Sequence, residues 1–268
     1  MVNEYSSADL VRQIGEAGVQ LTAMGAAEGS AGNISTFVRE MGQLDSYFRP
    51  QGRMRLPIPC PALSRGWIAV SGTGRRLRDL AVAPQSNLCI LHLDINGEEA
   101  ELYAAGNVRP TSELNSHLAI HEDQVRQRGL DFHAIVHAQT TYLTYLSHLN
   151  RYTDTLSLNR RLLRWEPETI IIFPEGIGLI AFQVPGSEEQ MRATVEGLKS
   201  HRAVVWQKHG IVTRSDQSAV QAADLVEYAE TAARFEYLNL QLGEPTQGLT
   251  DAEIRQVCAT HGIRQSFI

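Results

Sequence analysis

Residues 88–104 read Leu88-Cys89-Ile90-Leu91-His92-Leu93-Asp94-Ile95-Asn96-Gly97-Glu98-Glu99-Ala100-Glu101-Leu102-Tyr103-Ala104 and contain two strand-like runs. The runs cover residues 88–94 and 99–104, and the Asn96-Gly97 pair between them suits a type I′ hairpin turn. Strands joined by so short a turn run antiparallel, because a parallel connection needs a crossover of a dozen or more residues. The stretch therefore predicts an antiparallel part of a sheet.

Strands and helices alternate along the rest of the chain. Predicted strands occupy residues 67–70, 133–137, 170–173, 179–182 and 203–206. Predicted helices occupy residues 8–24, 112–128, 187–198, 218–242 and 250–262, and capping-box pairs open two of them, Ser187 with Gln190 and Thr250 with Glu253. Residues 39–65 are rich in Pro, Gly and Arg and predict a surface loop or hairpin. Because several strand pairs are joined by short turns, we predict a mixed, largely antiparallel sheet covered by helices.

The bulk composition limits the kinds of partner. The 268 residues favour one large domain, residues 1–268, with an ordinary 43% of hydrophobic residues. The 24 basic and 30 acidic residues give a net charge of −6, which argues against general nucleic-acid binding, because such binding needs a dense basic face. An anionic small molecule remains a possible substrate, since a few arginines or a helix N-terminus can hold a phosphate.

Cysteine usage and the absence of targeting signals indicate the compartment. The three cysteines, Cys60, Cys89 and Cys258, are not closely paired, which suggests a reducing environment without disulfides. The sequence has no signal-peptide pattern near its start and no apolar run of about 18 residues. We therefore expect a cytoplasmic protein without membrane contact.

A histidine on a predicted strand is the first candidate for chemistry. In residues 132–139, His137 and Gln139 are two apart and can point into one pocket, because alternate residues of a strand share a face. His133 shares that face, but at about 3.3 Å per residue it lies roughly 13 Å from His137, so the two cannot bind one metal. Histidines satisfied within the core are the ordinary explanation of both.

Two further segments could carry chemistry. His209 follows a predicted strand and precedes Gly210, which places it at a strand end, although a plain loop histidine has the same pattern. Residues 110–113, Pro-Thr-Ser-Glu, open a helix, where Thr111 and Ser112 are good N-caps. The same residues could bind phosphate, and Glu113 could act as a general base near a metal. His117 and His121, at helical spacing from Glu113, are taken as structural.

Residues 71–74, Ser-Gly-Thr-Gly, form a small-residue turn. They lack the frame of a dinucleotide fingerprint and the Gly-Lys-Ser/Thr of a nucleoside triphosphate loop. An anion-binding backbone nest is compatible with them. Taken singly, each of these segments is explained as well by structure as by function.

The order of the segments is more specific than any one of them. The order is Gly-Asn-Ile-Ser (32–35), Val-Ser-Gly-Thr-Gly (70–74), Pro-Thr-Ser-Glu (110–113), His137 and Lys-His-Gly (208–210). Over nearly the whole chain it resembles the class II aldolase/adducin family. Residues 163–165, 168–178, 184–187 and 205–210 resemble in particular the rhamnulose-phosphate aldolase branch of that family.

This resemblance implies a fold, an assembly and a reaction. The implied fold is a three-layer α/β/α sandwich with a largely antiparallel central sheet, and the implied assembly is a homotetramer with sites at subunit interfaces. The implied cofactor is one divalent metal per subunit, usually zinc. The implied reaction is retro-aldol cleavage of a sugar phosphate, a ketose 1-phosphate, to dihydroxyacetone phosphate and an aldehyde, which in the closest branch is L-lactaldehyde.

The resemblance also implies roles for individual residues. The residues that match the phosphate-binding segments of the family are Gly32, Asn33, Ser71, Gly72, Thr111 and Ser112. Glu113 matches the acid/base glutamate, and Glu168 matches a glutamate that assists proton transfer from a neighbouring subunit. His137 and His209 match two metal ligands.

The chain departs from the family at Gln139, because the family has His-x-His where this chain has His137-Ala138-Gln139. Three imidazoles suit zinc, and a neutral amide weakens soft-metal binding and favours a different ion. Gln139 could ligate through its carbonyl oxygen, a water could take its place, or His148 could substitute if its loop folds back. A decayed active site is the remaining alternative; we favour retained catalysis.

Two rival functions follow from the same resemblance. One is a related class II aldolase or epimerase acting on a fuculose, 5-deoxyribulose or ribulose phosphate. The other is a non-catalytic, adducin-like binding module, against which the joint presence of Glu113, His137 and His209 argues.

Overall fold

The strands form one nine-stranded sheet in the computed structural model, which describes residues 5–265 and residue 267. The strands are β1 Asn33–Val38, β2 Arg49–Arg55, β3 Trp67–Ser71, β4 Leu88–Leu93, β5 Glu99–Ala104, β6 Phe132–Ala138, β7 Gly178–Ile180, β8 Ala203–Trp206 and β9 Gly210–Ser215. Their order across the sheet is β2-β5-β4-β3-β1-β6-β9-β8-β7. Neighbours are antiparallel except β7 and β8, which are parallel. The predicted mixed, largely antiparallel sheet is confirmed.

Helices cover both faces of the sheet. They are α1 Ser7–Ala23, α2 Pro84–Asn87, α3 Leu114–Arg128, α4 Thr141–Leu146, α5 Thr155–Leu162, α6 Pro167–Ile172, α7 Glu188–Ser200, α8 Ala219–Gln241 and α9 Asp251–His261. No helix of the described residues is long and apolar enough to cross a membrane.

The alternation of side chains along β6 shows how the layers are built. Ala134 and Val136 point into the core that contains residues of α1 and α8. Ile135, between them, packs with Ile120 of α3 and Leu198 of α7 on the opposite face. All seven residues of β6 are buried, because helices cover the strand on both sides. The three-layer α/β/α arrangement is confirmed.

The N-terminal caps predicted for α7 and α9 are both present in the structure. Thr250 accepts a hydrogen bond from the N–H of Glu253, and the Glu253 carboxylate returns to the N–H of Thr250, which is a complete capping box for α9. Ser187 caps α7 in the same way, but the side chain of Gln190 does not return to Ser187. That side chain points instead towards the site described below.

The prediction of a strand at residues 170–173 is wrong, because those residues end helix α6. Pro167 occupies the first turn, where its fixed φ favours a helix and its missing N–H costs nothing. The N–H of Phe173 donates to the carbonyl of Thr169, which closes the last turn. Three successive isoleucines have high strand propensity, but the proline start outweighs it. The strand expected at residues 179–182 is shorter than predicted, Gly178–Ile180.

The β4–β5 hairpin is confirmed, but its turn is not type I′. A type I′ turn needs positive φ at both central residues, whereas Gly97 has φ +69° and Asn96 does not have a positive φ. The N–H of Gly97 donates to the carbonyl of Asp94, and the N–H of Cys60 donates to the carbonyl of Gly97. A Cβ at Gly97 would lie 2.2 Å from the Cys60 oxygen, so the turn is shaped by close packing against the residue 60 loop.

Residues 39–65 form more than a loop. They contain β2, which pairs with β5 at the edge of the sheet and whose side chains are mostly exposed. Three of its seven residues are arginines, Arg49, Arg53 and Arg55, and the pairing register shifts between Pro50 and Arg53. An arginine-rich, irregular edge strand therefore ends the sheet on this side.

Candidate metal centre and active site

The pairing of three strands brings His137 and His209 together. His137 lies near the end of β6, opposite Val212 of β9. Three residues connect β8 to β9, and the middle one, Lys208, has a left-handed backbone with φ +65°. This tight turn returns His209 towards β6, and the centroids of the His137 and His209 rings are 4.9 Å apart.

Gly210 is required by the closeness of these two strands. A Cβ at this position would lie 2.3 Å from the carbonyl oxygen of Ala138 and 3.2 Å from Cε1 of His137. Any larger residue would push β9 away from the His137 ring. The Lys-His-Gly motif thus combines a turn, a possible ligand and a glycine that permits the close approach.

Glu113 completes a group of three possible metal ligands. It precedes α3, is only 7% exposed, and its Oε2 lies 3.8 Å from Nε2 of His137. Among the described residues, Glu113, His137 and His209 each offer a ligand atom within 4.8 Å of the other two. The structure therefore assembles the three residues that the sequence analysis singled out.

The residues of this group fit a divalent cation. Nδ1 of His137 is 3.1 Å from the carbonyl oxygen of Ile211, which can only accept, so Nδ1 carries the proton and Nε2 presents a lone pair. Such a second bond commonly fixes the ring of a metal-binding histidine. Two imidazoles and a carboxylate are a ligand set found in zinc enzymes.

Gln190 holds the other histidine. Its Nε2 lies 3.2 Å from Nδ1 of His209, and its Oε1 accepts the N–H of Gly186 at 2.7 Å. Gln190 is buried, at 1% exposure. The sequence pattern predicts Gln190 only as part of a capping box and gives no sign of its contact with His209.

Burial and neighbouring charges set the protonation states of Glu113 and His209 at neutral pH. Burial raises the pKa of Glu113, but the neighbouring His137, the hydrogen bond from Asn33, and His117 and His209 lower it more, so the net pKa lies below its usual value. Burial, helped by His137, lowers the pKa of His209 to about 4 against the pull of Glu113. Near neutral pH Glu113 is therefore ionised and His209 is neutral, as metal binding requires.

The three predicted phosphate segments converge beside Glu113. Ser71 Oγ accepts the N–H of Ile34, and the carbonyl of Ser71 accepts the N–H of Thr111. Gly72 forms an isolated bridge with Pro110. Asn33 donates from Nδ2 to Oε2 of Glu113 at 2.7 Å. The segments around residues 32, 71 and 111 thus form one wall of the site.

Backbone donors in that wall are partly occupied. The N–H of Gly72 donates to the carbonyl of Asn87, and the N–H of Thr73 donates to the carbonyl of Arg109. Those two N–H groups are engaged by the fold. Among the described residues, the N–H groups of Gly32 and Ser112 donate to no protein acceptor, which leaves them as the backbone donors for an anion.

A cavity of about 710 Å³ opens beside this wall. Thr111, Ser112, Arg55, Arg109 and Gly186 are among the residues that line it. The two arginines provide positive charge close to the predicted phosphate segment. The cavity therefore has both the size and the chemistry for a small anionic ligand.

The other candidate ligands and acids, Gln139, His148 and Glu168, form no hydrogen bond with the three residues of the group. The N–H of Gln139 donates to the carbonyl of Ala26, and its half-buried side chain forms no hydrogen bond with the described residues. His148 is exposed and outside the three-ligand group, so the loop does not fold back as the substitution by His148 would require. Glu168 is exposed in the first turn of α6, also outside the group.

Comparison with known proteins identifies the family. The chain belongs to the class II aldolase and adducin family, because residues 12–237 match the family described as Class II Aldolase and Adducin N-terminal domain. The family resemblance drawn from the order of motifs is confirmed, and with it an enzyme of the aldehyde-lyase class that depends on a metal.

Individual relatives narrow the likeness further. The rhamnulose-1-phosphate aldolase of Bacteroides thetaiotaomicron is 27% identical over 259 residues, covering 95% of each chain. The crystal structure of a sugar-phosphate aldolase from Thermotoga maritima matches with a TM-score of 0.77 and 29% identity, over 90% of this chain and 99% of that one. An L-fuculose 1-phosphate aldolase structure, at 22% identity and TM-score 0.63, covers 97% of this chain and 100% of its own, and shares the fold.

Proposed function

We propose that this chain cleaves a ketose 1-phosphate by a metal-assisted retro-aldol reaction and that its substrate is L-rhamnulose 1-phosphate. The products are then dihydroxyacetone phosphate and L-lactaldehyde, a step of rhamnose catabolism. The substrate rests on the likeness to rhamnulose-1-phosphate aldolases over 95% of the chain. The reaction type rests on the site.

One observation carries the proposal. Glu113, His137 and His209 lie within 4.8 Å of one another, directly beside the wall formed by the segments around Gly32, Ser71 and Thr111. Neither a metal site alone nor an anion-binding pocket alone is specific for one reaction. Together they fit a substrate whose phosphate is bound at one end while a bond is broken at the other.

The residues of the chain have separate tasks in this reaction. Glu113, His137 and His209 would hold the cation, which would supply a Lewis acid and stabilise developing negative charge. Loss of the C4 hydroxyl proton turns C4 into an aldehyde carbon, and the electrons of the C3–C4 bond move to C3. The Glu113 carboxylate takes up the proton released at the C4 hydroxyl and delivers it to C3, and it carries the proton the opposite way in the condensation direction.

The phosphate segments orient the substrate. Ser71, Thr111 and Ser112 provide hydroxyl groups, and Gly32 and Ser112 provide backbone N–H groups that the fold leaves free. Binding energy gained at the phosphate fixes the distance between C3 and Glu113. Asn33 and Gly72 belong to the same wall, where one side-chain N–H of Asn33 donates to Glu113 and the backbone N–H of Gly72 donates to Asn87.

The finer features of the site are also proposals. We assign zinc as the cation and Gln139 as a weak further ligand through its amide oxygen, since Gln139 immediately follows β6. Glu168 acts from a neighbouring copy in a homotetramer, because within one chain it is exposed and is not part of the three-ligand group.

The function is tested by following product release from purified protein. Bound metal is measured first, and cleavage of L-rhamnulose 1-phosphate and L-fuculose 1-phosphate is then followed with and without a chelator. We expect dihydroxyacetone phosphate from the rhamnulose substrate, loss of activity on metal removal, and recovery on adding zinc. Faster cleavage of fuculose 1-phosphate would reassign the substrate, and release from neither substrate would reject both.

A matched pair of variants tests the role of Glu113. Glu113→Gln keeps the size of the side chain and removes its charge, and we expect kcat to fall by about 10²–10⁴-fold, the range of general acid–base catalysis. Glu98→Gln changes an exposed glutamate in the β4–β5 turn and should leave kcat unchanged. Equal activity of the two variants would refute the acid/base role.

A further inference from the structure

A chain of buried polar side chains runs from Glu113 into the interior between α3 and the sheet. We call it the relay, and its members are Asn33, His117, Ser35, His121 and His133. Each member is at most 7% exposed. The mechanism above uses none of the three histidines.

Regular spacing in helix and strand builds the relay. Glu113, His117 and His121 are four residues apart along α3 and so lie on one side of the helix. Asn33 and Ser35 are two apart on β1, and alternate residues of a strand share a face. That face is turned towards α3. Asn33 is paired with His137 in the sheet, so the relay begins beside the metal site.

The hydrogen bonds of the relay are continuous. Asn33 Nδ2 is 2.7 Å from Oε2 of Glu113, and Asn33 Oδ1 contacts Nε2 of His117. Ser35 Oγ is 2.6 Å from Nδ1 of His117 and 2.8 Å from Nε2 of His121. Nδ1 of His121 is 2.8 Å from Nδ1 of His133.

An ionised Glu113 fixes the direction of every one of these bonds. A carboxylate only accepts, so Asn33 must present its NH₂ to Glu113 and its oxygen to His117, which donates from Nε2. Nδ1 of neutral His117 then accepts from Ser35, and Ser35 accepts from Nε2 of His121. Finally His121 accepts at Nδ1 from His133.

The surroundings favour neutral rings, as this order requires. Burial lowers the pKa of His117 to about 4, with Glu113 raising it and His137 lowering it further. Burial lowers the pKa of His121 and of His133 well below the ordinary value of 6.5. Each ring therefore carries one N–H and one lone pair. The last lone pair, on Nε2 of His133, has no partner among the described residues.

We infer that the relay is a positioning device for Glu113, and that Asn33 acts through it by holding Oε2 so that the carboxylate faces His137 and His209. Among the described residues, Oε1 of Glu113 accepts no hydrogen bond, which leaves it for the cation or for proton transfer. Hydrogen bonds linked in one direction polarise one another, so all five members strengthen the hold on Oε2. The catalytic part of this inference rests on the proposed function, whereas the effect on cation binding does not.

The relay changes the assignment of Asn33. Sequence resemblance places it with the phosphate-binding residues, but its amide oxygen and one N–H are already bonded to His117 and Glu113. The amide orientation is fixed on both sides, so only the second N–H of Nδ2 is left for another acceptor. Asn33 is therefore a positioning residue that joins the relay to the site.

Two neighbouring hydroxyls on β1 provide a matched test. Ser35→Ala removes the hydroxyl that connects His117 with His121. Thr36→Val removes a hydroxyl one residue away whose Oγ1 is equally buried and has no hydrogen-bond partner among the described residues. Ser35→Thr restores a hydroxyl in the relay. The four proteins are stripped of metal, and the zinc dissociation constant of each is measured by competition with a coloured chelator.

We expect Ser35→Ala to bind zinc about 10–100-fold more weakly than the unchanged protein, the usual loss for a residue that orients a metal ligand. Thr36→Val should stay within about twofold, and Ser35→Thr should recover most of the affinity. In the ¹⁵N NMR spectrum of metal-free unchanged protein, His117 should carry its proton on Nε2. A proton on Nδ1, or equal zinc affinities of Ser35→Ala and Thr36→Val, would overturn the inference.

Kinetics separates this inference from the proposed function. With an active enzyme, Ser35→Ala should lower kcat by about 10–100-fold and leave KM nearly unchanged, since the phosphate wall is intact. If the unchanged protein cleaves no ketose phosphate, the proposed function is wrong, but the zinc affinities still test whether the relay positions Glu113. If cleavage is normal in Ser35→Ala and zinc binding is unaltered, the relay fails while the function stands.

Discussion

The protein contains two close pairs of buried or partly buried histidines, and the pairs differ in the groups that their ring nitrogens contact. In the site pair, His137 and His209, Nε2 of His137 faces the Glu113 carboxylate. In the interior pair, His121 and His133, the rings bond to each other and His121 also bonds to Ser35. Both pairs have ring centroids 4.9 Å apart.

The comparison shows that closeness of two imidazoles does not make a metal site. No carboxylate of the described residues hydrogen-bonds to the interior pair. Three of its four nitrogens form hydrogen bonds of the relay, and only Nε2 of His133 is left without a partner among the described residues. The site pair has a carboxylate, and His137 uses only Nδ1 for a protein hydrogen bond. The free lone pair on Nε2 of His137 next to a negative charge, rather than residue type, distinguishes the two pairs.

The strongest way to break this distinction is to remove one ring from each pair. His137→Phe removes a ligand, and we expect the bound zinc to fall from about one equivalent to almost none, with activity at background. His133→Phe removes a donor to His121 and should lower the free energy of unfolding by about 1–3 kcal/mol. Zinc added in excess should still bind at about one equivalent, because loss of a relay member weakens zinc binding without removing a ligand. Bound zinc is measured by metal analysis and the unfolding free energy by urea denaturation for both variants. Loss of zinc from both would contradict the conclusion that only the site pair binds metal.

Acid should act on the interior pair in the metal-free protein. Burial lowers the pKa of both rings well below 6.5. Below about pH 6.5 the two histidines are therefore protonated in the unfolded chain but remain neutral in the folded chain. Stability present above pH 6.5 is therefore lost as the pH falls, by up to about 1.4 kcal/mol per pH unit for each ring. Urea unfolding between pH 7 and pH 4.5 measures this slope.

The double variant His121→Leu/His133→Leu provides the control for the acid effect. Without the two rings, the fall in unfolding free energy with acid should be shallower. An unchanged slope would mean that other groups cause the acid sensitivity. The absolute stability of the variant does not enter this comparison, because only the dependence on pH is compared.

A smaller change is confined to the site pair. Gly210→Ala places a methyl group 2.3 Å from the Ala138 oxygen and 3.2 Å from the His137 ring, so β9 must shift. We expect a loss of about 1–3 kcal/mol in unfolding free energy, as for other overpacked positions, together with weaker zinc binding. Thermal unfolding and zinc titration check this, and a variant with unaltered zinc affinity would show that the strand spacing does not control the His137 ring.

The substitution with the smallest expected effect adds a third imidazole next to the site pair. Gln139→His restores the third imidazole of the family pattern, and we expect zinc to bind about tenfold more tightly, or about 1.4 kcal/mol. The chelator competition used for the relay variants measures it. Unchanged affinity would place residue 139 outside the reach of the cation and remove Gln139 from the ligand set.

Much of the fold could be predicted from local patterns, and the errors have local causes. The 88–104 hairpin and the long helix α8 follow from alternation and helical periodicity. Residues 170–173 were misassigned because three isoleucines suggest a strand, whereas Pro167 and the end of α6 decide their backbone. The Asn96-Gly97 turn was mistyped because its shape depends on Cys60, which is distant in sequence.

The site shows a similar division. Glu113, His137 and His209 could be selected because their motifs stand in a recognisable order, and the structure places them together. The role of Gln190 could not be seen, since its contact with His209 depends on the packing of α7 against the β8–β9 turn. The sequence predicts His117 and His121 as structural residues, although their spacing from Glu113, together with Asn33-x-Ser35, indicates a common face.

The edge strand β2 limits how copies of the chain can associate. Its arginines would repel those of a second β2, and the register shift at Pro50–Arg53 interrupts the row of backbone groups that a new strand would need. At the opposite edge, β7 offers only three residues, Gly178–Ile180. Continuing the sheet from one molecule to the next is therefore unfavourable at both ends, which protects the chain against open-ended, fibre-like growth.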